Sequence, residues 1–317
     1  MIVQKIATMQ TILGATGPIG TELAQALRNY TNNLRLVSRN PHKLHESDAC
    51  VAADLTHPAS VMKAVEGSEV CYLTAGLEYK TRVWQAQWPL IIKNVVQACE
   101  QHGSKLVFFD NIYALSKDHL NNITESTPIA PCSEKGKVRA WVDRYIMEEV
   151  EKGKLKAIIA RAPDFFGPYR KNSVLISTVY DNLEKGKKAQ WFCNANVKHS
   201  FGFIPDLAKG TALLGNTATA FDQIWNLPVE ESAPTGNEWV DLFAETMHKK
   251  AGVQVLPGAG IKLLGWFIPI LKEMYEMRYQ YDRNYYFNAE KFRKAFQYTP
   301  LANKEAVRLT VQSMPSR

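Results

Sequence analysis

The sequence contains no apolar run long enough to cross a membrane. Its longest, Leu263 to Leu271, has nine residues, whereas a membrane-spanning helix needs roughly 20. We therefore expect no membrane partner, and we interpret this run as a helix packed on a core or as a lid over a ligand. The residues from Met1 to Met9 also lack the apolar stretch of a secretory signal.

Cysteine is scarce and shows no spacing pattern. The chain has five cysteines, an odd number, and no C-x-x-C pair, which argues against a disulfide framework and against a zinc site. We expect a cytoplasmic protein without a metal. The sequence also lacks internal repeats and nucleic-acid-binding motifs, and its formal charge of +7 is spread along the chain, which favours a small anionic ligand over nucleic acid.

Three regularly spaced glycines follow the first apolar run. Gly14, Gly17 and Gly20 stand between this run and a segment with apolar residues at helical spacing. A strand, a glycine turn and a helix N-terminus together form a site for a dinucleotide pyrophosphate. We assign the tight turn to Gly14, the close approach of phosphate to Gly17 and close helix packing to Gly20. The alternative is a glycine loop without a ligand.

The end of the second strand bears on the choice of cofactor. Leu34 to Ser38 reads as a strand, and Arg39 follows it. A site selective for NAD places a carboxylate here, on the ribose 2′-hydroxyl, whereas a 2′-phosphate requires a cation. Arg39 therefore favours NADP, with NAD as the second choice. The alternative is a solvated surface arginine.

Further strands alternate with helices and indicate an α/β protein with a doubly wound parallel sheet. Two strand ends, at Asp54-Leu55 and at Ala75-Gly76, should edge the adenine and ribose. A helix is expected from about Trp84 to Gln101, and another with Asp206 as its N-cap. The length of 317 residues favours a second, smaller lobe.

Several motifs in order resemble the extended short-chain dehydrogenase/reductases of the epimerase/dehydratase type. The matching pieces include the glycine turn, Asp54-Leu55, Ala75-Gly76, the stretch from Arg161 to Pro168 and the stretch from Ser200 to Ala208. The resemblance implies a Rossmann domain at 1–168 and 206–230, and an α/β substrate lobe at 169–205 and 231–317. It also implies cofactor contacts at Thr16, Pro18, Ile19, Lys135, Pro163 and Phe165.

The sequence departs from this family at the catalytic centre. The family's Tyr-x-x-x-Lys pair is replaced by Lys135 and Arg139, and Asp110-Asn111 stands where the family has serine or threonine. Residues four apart share a helix face, so Arg139 is expected to hold the ribose and to lower the pKa of Lys135. Lys135 would then act as acid or base, with Asn111 and Tyr113 completing the site. Alternatively, both cations only bind phosphate or solvate the helix.

Two function classes remain open. The first is an NADP-dependent oxidoreductase or epimerase/dehydratase that acts on a carbonyl or hydroxyl compound, including nucleotide sugars. The second is a dinucleotide-binding redox sensor without turnover. Several polar and aromatic residues are typical of a substrate pocket and favour the enzyme, although aromatic side chains more often belong to a core. They are Tyr169, Arg170, Trp191, His199, Tyr279 and Tyr281. A homodimer through the helices near Trp88 and Trp141 is typical of the resembled family.

Overall fold

The computed structural model describes residues 8–168 and 173–314. The chain divides into two compact units. The first unit comprises Met1–Ala114, Lys135–Arg161 and Leu207–Leu227, and the second comprises Leu115–Glu134, Ala162–Asp206 and Pro228–Arg317. The chain therefore passes between the units five times. Residues 115–134 and 162–168, which the predicted Rossmann domain includes, fall in the second unit.

The bounds of the regular elements are as follows. The strands are β1 (Met9–Leu13), β2 (Leu34–Ser38), β3 (Ala49–Ala52), β4 (Ser68–Leu73), β5 (Lys105–Asp110), β6 (Ala157–Arg161), β7 (Asp164–Phe166), β8 (Ala189–Phe192), β9 (Phe201–Phe203), β10 (Gln223–Asn226) and β11 (Val253–Leu256). The α-helices are α1 (Pro18–Leu27), α2 (Pro58–Val65), α3 (Thr81–His102), α4 (Glu134–Glu151), α5 (Asp181–Glu184), α6 (Ile204–Gly215), α7 (Gly236–Thr246), α8 (Gly258–Leu264), α9 (Pro269–Tyr275), α10 (Glu290–Phe296) and α11 (Asn303–Ser313).

A seven-stranded parallel sheet organises the first unit. Its order is β10-β6-β5-β4-β1-β2-β3, and Ile12 of β1 pairs with Leu36 of β2 and with Tyr72 of β4. The strand order reverses between β1 and β4, as in doubly wound folds, where ligands bind beyond the carboxyl ends of the strands at this point. The predicted fold class is confirmed.

Helix α3 covers much of this sheet and is longer than predicted. It starts at Thr81 rather than near Trp84, and it ends at His102, where Gly103 adopts a φ of 65° as a left-handed cap. Its buried face, which includes Trp88 and Ile92, packs into the core with strands β4 and β5. The helix therefore carries Thr81, at its first turn, on a well-anchored scaffold.

The predicted start of helix α6 is wrong. The helix begins at Ile204, so Asp206 lies inside its first turn rather than at its N-cap. The Asp206 carboxylate instead accepts hydrogen bonds from the Tyr298 hydroxyl at 2.7 Å and from the Leu301 backbone amide at 2.8 Å. An acidic residue in the first turn is favourable in either position, because it faces the positive end of the helix dipole.

The second unit contains two short parallel strand pairs, β7 with β9 and β8 with β11. Its core is rich in aromatic residues, among them Phe166, Trp191, Trp239 and Phe243. Helix α7 starts with a capping box in which Thr235 and Glu238 each satisfy the other's backbone amide. A Cβ atom on Gly236 would lie 2.4 Å from the Trp191 indole, so only glycine fits at this point.

Candidate functional site

The glycine turn joins β1 to α1 and packs tightly against the end of β4. Gly14 has a φ of +104°, and a Cβ atom there would lie 2.5 Å from the backbone nitrogen of Ala75. A Cβ atom on Gly20 would lie 2.4 Å from the carbonyl oxygen of Gly14. Both positions therefore require glycine for the backbone itself.

Gly17 is different, because the fold does not require it. It has an ordinary φ of −78°, and a Cβ atom would lie 3.6 Å from its nearest neighbour, the Gly14 carbonyl oxygen. Gly17 precedes Pro18, the first residue of the ten-residue helix α1, and exposed Thr16 stands beside it. The missing side chain leaves space directly at the helix N-terminus, where amide groups and the helix dipole favour an anion.

Two neighbouring strand ends place opposite charges close together. Hydrogen bonds from Thr56 lower the pKa of Asp54, which follows β3, and the charges of His57 and of Arg39, exposed after β2, contribute less. The Thr56 amide and hydroxyl lie 2.9 and 2.7 Å from the Asp54 carboxylate. The Asn94 amide donates to the Leu55 carbonyl at 3.0 Å and fixes this turn.

The end of β4 lies against the glycine turn. The Thr74 amide donates to the Leu13 carbonyl at 2.9 Å, so Ala75 and Gly76 follow at the same edge of the sheet as Gly14. The residues predicted for the pyrophosphate, the adenine and the ribose thus leave adjacent parallel strands at one edge. This is the edge at which doubly wound sheets bind ligands.

Lys135 is completely buried within the first unit. Its Nζ atom donates to the Thr81 hydroxyl at 3.0 Å and lies 4.5 Å from the centre of the Tyr79 ring. A buried ammonium group is costly unless hydrogen bonds and π-electrons replace its water. Thr81 and Tyr79 do so, and neither residue was identified from the sequence.

Tyr79 links Lys135 to two other predicted residues. The hydroxyls of Tyr79 and Tyr113 lie 3.4 Å apart, and the Tyr113 ring stacks on Trp84. The Asn111 side-chain oxygen accepts a hydrogen bond from the Tyr113 amide at 2.9 Å. Lys135, Tyr113 and Asn111 therefore belong to one connected cluster, which we call the Lys135 cluster together with Tyr79 and Thr81.

Arg139 lies on the same helix as Lys135, α4, and packs among aromatic side chains of α3 and β5. Its guanidinium carbon lies 3.9 Å from the centre of the Trp88 ring, and the Trp84 and Phe108 rings are further away, at 5.0 and 5.2 Å. Its Nη1 atom lies 3.2 Å from Oδ1 of buried Asp110. These contacts give Arg139 a partner inside the first unit, whereas contact with a ribose remains a prediction.

A second buried ion pair, Arg161 with Asp143, lies near the pair of Arg139 and Asp110. Arg161 donates to Asp143 at 2.9 Å, and both side chains are 1% exposed. Burial, and then the like charge of Asp143, raise the pKa of Asp110 well above its ordinary value, while Arg139 and Arg161 act in the opposite direction. The end of β5 therefore carries a buried network of two carboxyl groups and two guanidinium groups.

The remaining predicted residues lie in the second unit. Pro163 and Phe165 flank Asp164, whose Oδ2 atom accepts from the Tyr281 hydroxyl at 2.7 Å and lies 3.1 Å from Nε2 of His199. The His199 ring stacks between Tyr281 and Tyr285. Trp191, His199, Tyr279 and Tyr281 are all buried, so they form core rather than an open pocket. Tyr169 and Arg170 lie outside the described residues.

Residues 8–168 and 173–314 contain neither a group of metal ligands nor a membrane-spanning helix. In those ranges no group of three or more His, Cys, Asp or Glu side chains is placed to hold a metal ion. None of the helices there is both long and apolar enough to pass through a bilayer.

The strand order and the glycine turn define a protein of the Rossmann type. The family profile described as "NAD dependent epimerase/dehydratase family" matches residues 11–227. The chain belongs to this family, and the resemblance read from its motifs is confirmed.

Curated and solved relatives are distant. A dTDP-glucose 4,6-dehydratase of Mycobacterium tuberculosis is 24% identical over 207 residues, which is 59% of this chain and only 62% of that protein. The structure of UDP-glucose 4-epimerase from Thermus thermophilus with NAD has a TM-score of 0.75 at 18% identity and covers 96% of this chain and 98% of its own. The dTDP-glucose 4,6-dehydratase of Bacillus anthracis with NAD has a TM-score of 0.78 at 17% identity, with coverages of 97% and 96%. These likenesses show the fold.

Proposed function

We propose that this protein is an NADP-dependent enzyme that oxidises or reduces a carbonyl or hydroxyl carbon of a nucleotide sugar, in the manner of an epimerase, dehydratase or reductase. The family and the names of its relatives support the substrate class. The observation that carries the catalytic assignment is the buried Lys135 cluster, in which a cation, two phenols and a hydroxyl lie together.

The residues of the glycine turn fit a dinucleotide. Gly17 leaves room at the N-terminus of α1, and the amides of Ile19 and Gly20 stand in its first turn to receive the pyrophosphate. Asp54, Leu55, Ala75 and Gly76 would edge the adenosine, Arg39 would bind the 2′-phosphate, and Pro163 and Phe165 would lie toward the nicotinamide. The bound nicotinamide supplies or accepts the hydride.

Lys135 would transfer the proton that accompanies the hydride. Its ammonium group donates to the substrate oxygen when a carbonyl is reduced, and its amine accepts a proton from the hydroxyl when an alcohol is oxidised. Thr81 and the ring of Tyr79 hold Nζ in place, so the group needs little rearrangement to act. Tyr113, through its contact with Tyr79, would orient the substrate oxygen, and Arg139 would hold the helix and the ribose.

The test is turnover with a panel of sugar nucleotides, followed by product formation and by NADPH absorbance. General acid–base catalysis contributes about 10²–10⁴-fold, so Lys135→Met should lower kcat by that factor while calorimetric affinity for NADPH is nearly unchanged. Lys137→Met, two residues further on α4 and exposed, is the matched control and should keep full activity. Full turnover in Lys135→Met would assign the proton transfer elsewhere, with Tyr113 as the next candidate.

One observation favours a redox sensor as the second candidate. Lys135 and Arg139 are both buried against partners of the first unit, Thr81 and Asp110, as a purely structural pair would be. Tight NADPH binding without turnover of any substrate in the panel would support the sensor over the enzyme.

A further inference from the structure

The second unit exposes a strongly apolar helical hairpin formed by α8 and α9, which we call the 258–275 hairpin. Trp266 and Phe267, at its turn, are 80% and 79% exposed. Leu263, Leu264, Ile268 and Ile270 are exposed beside them. Large apolar side chains grouped in this way on a surface mark a contact with another apolar phase.

The hairpin is anchored from its opposite face. Ile261 is buried, and Leu271, Met274 and Tyr275 pack against the core of the second unit. A Cβ atom on Gly265 would lie 3.0 Å from the backbone nitrogen of Lys272, so the two helices approach closely at this glycine. The exposed residues are therefore displayed by an ordered element.

The amide N–H groups of the turn are paired within the hairpin. The amides of Gly265, Trp266, Phe267 and Ile268 donate to the carbonyls of Ile261, Leu263 and Leu264 at 2.8 to 3.3 Å, and Pro269 has no amide hydrogen. A segment can enter an apolar phase only if its peptide groups are paired within the protein. The N–H groups of this turn meet that condition.

The apolar stretch is bounded by a lysine at each end, and Glu273 follows Lys272 on α9. Lys262 and Lys272 are exposed at the two ends of the apolar stretch, with no charged residue between them in sequence, and the chain carries a formal charge of +7. An apolar stripe flanked by lysines fits the interface of an anionic bilayer, where Trp and Phe enter the acyl boundary and lysines meet the headgroups.

A second copy of the chain fits the patch less well. A twofold contact through the turn would bring the lysines of one copy against those of the other. The six exposed apolar side chains named above also fall short of the roughly 20–30 residues that each side of a stable interface contributes. We propose that the 258–275 hairpin docks this protein on the surface of an anionic phospholipid bilayer, without crossing it.

The experiment is sedimentation of the full chain with vesicles of phosphatidylcholine containing about one-third phosphatidylglycerol, compared with pure phosphatidylcholine. The wild-type protein should bind the anionic vesicles and lose binding at high salt. Trp266→Ser with Phe267→Ser should weaken partition at least about tenfold, because two aromatic side chains no longer transfer from water into the bilayer. Lys262→Glu with Lys272→Glu should weaken it by about fivefold for each lysine, or more.

Two matched controls test the assignment. Leu90→Ser removes an exposed apolar residue, 50% accessible, from α3, and Lys185→Glu with Lys187→Glu reverses two exposed lysines ahead of β8. The first should leave partition unchanged, and the second should weaken it less than the hairpin reversal. Failure of the wild-type protein to bind anionic vesicles, or equal binding by the Trp266/Phe267 variant, would overturn the proposal. A dimer in sedimentation velocity that this variant dissociates would assign the patch to a second copy.

Discussion

Asp110 lies in surroundings that differ strongly from those of an ordinary carboxylate. It is buried at the end of β5, between the Arg139 guanidinium and the Asp143 network. Arg139 in turn belongs to the helix that carries Lys135. The protonation of Asp110 therefore bears on the packing of the helix that positions the proposed catalytic lysine.

This environment predicts a pH-dependent stability. Because the pKa of Asp110 is raised in the folded protein, the folded state keeps a proton that the unfolded chain releases above about pH 4. The free energy of unfolding of the wild type, relative to Asp110→Asn, should fall as pH rises from about 4 to the raised pKa, by up to about 1.4 kcal/mol per pH unit. Urea unfolding at a series of pH values measures this difference.

Asp241→Asn, at an exposed aspartate of α7, provides the matched control and should show no such trend. If the wild type instead gains stability over Asp110→Asn as the pH rises, the Arg139 pair outweighs burial and the assigned direction is wrong.

At this residue scale the sequence predicts which groups form the site but not what they touch. Lys135 and Asn111 were chosen because they stand at family motif positions, and Tyr113 because it follows the same strand end; the structure joins them through Tyr79. Arg139 was expected to face a ribose. Its spacing on one helix could not reveal its contacts with Asp110 and with two tryptophans, because those residues belong to other elements. Those long-range contacts depend on how α3, α4 and β5 pack.

At the scale of the element, the glycine turn contains two positions at which the backbone requires glycine and one at which it does not. Gly14 and Gly20 have no room for a Cβ atom, whereas Gly17 has room. All three look equivalent in the sequence, because spacing predicts a turn and does not give interatomic distances. The structure therefore makes a prediction that the motif alone does not.

Gly20→Ala should lower the free energy of unfolding by about 1–3 kcal/mol or more, because its methyl group would collide with the Gly14 carbonyl. Gly17→Ala should cost about 1 kcal/mol or less and yet weaken NADPH binding, because the methyl group occupies the space at the helix N-terminus. Urea denaturation and calorimetric titration separate the two effects. Unchanged NADPH affinity in Gly17→Ala would remove the phosphate site from this helix end.

At the scale of the whole molecule, the two units share one chain that passes between them five times. Neither unit is a continuous segment, so unfolding of one releases the ends of segments in the other. We expect a single thermal transition, reported alike by far-ultraviolet dichroism and by tryptophan fluorescence from Trp88 of the first unit and Trp191 of the second.

The bound cofactor should raise the temperature of this transition, and NADPH should raise it more than NADH. A ligand at about a hundred times its Kd adds about 2.7 kcal/mol, and a charged contact from Arg39 to the 2′-phosphate is worth about tenfold to a hundredfold in affinity. Arg39→Ala should abolish the difference between the cofactors, while Lys43→Ala, nearby and also exposed, should keep it. Equal shifts of the melting temperature by NADPH and NADH in the wild type would contradict the preference for NADP. Two separate thermal transitions would contradict the coupled unfolding of the two units.

The pairing of β10 with β6 has a consequence for dividing the chain. These two strands are neighbours in one sheet. Between them the chain runs through residues 162–206 of the second unit and then through the rest of helix α6. A peptide bond cleaved in that interval would leave two polypeptides, each contributing a strand to the same ladder. Such a nicked protein would behave as a heterodimer held by main-chain hydrogen bonds, and neither half would be a complete folding unit if it were synthesised alone.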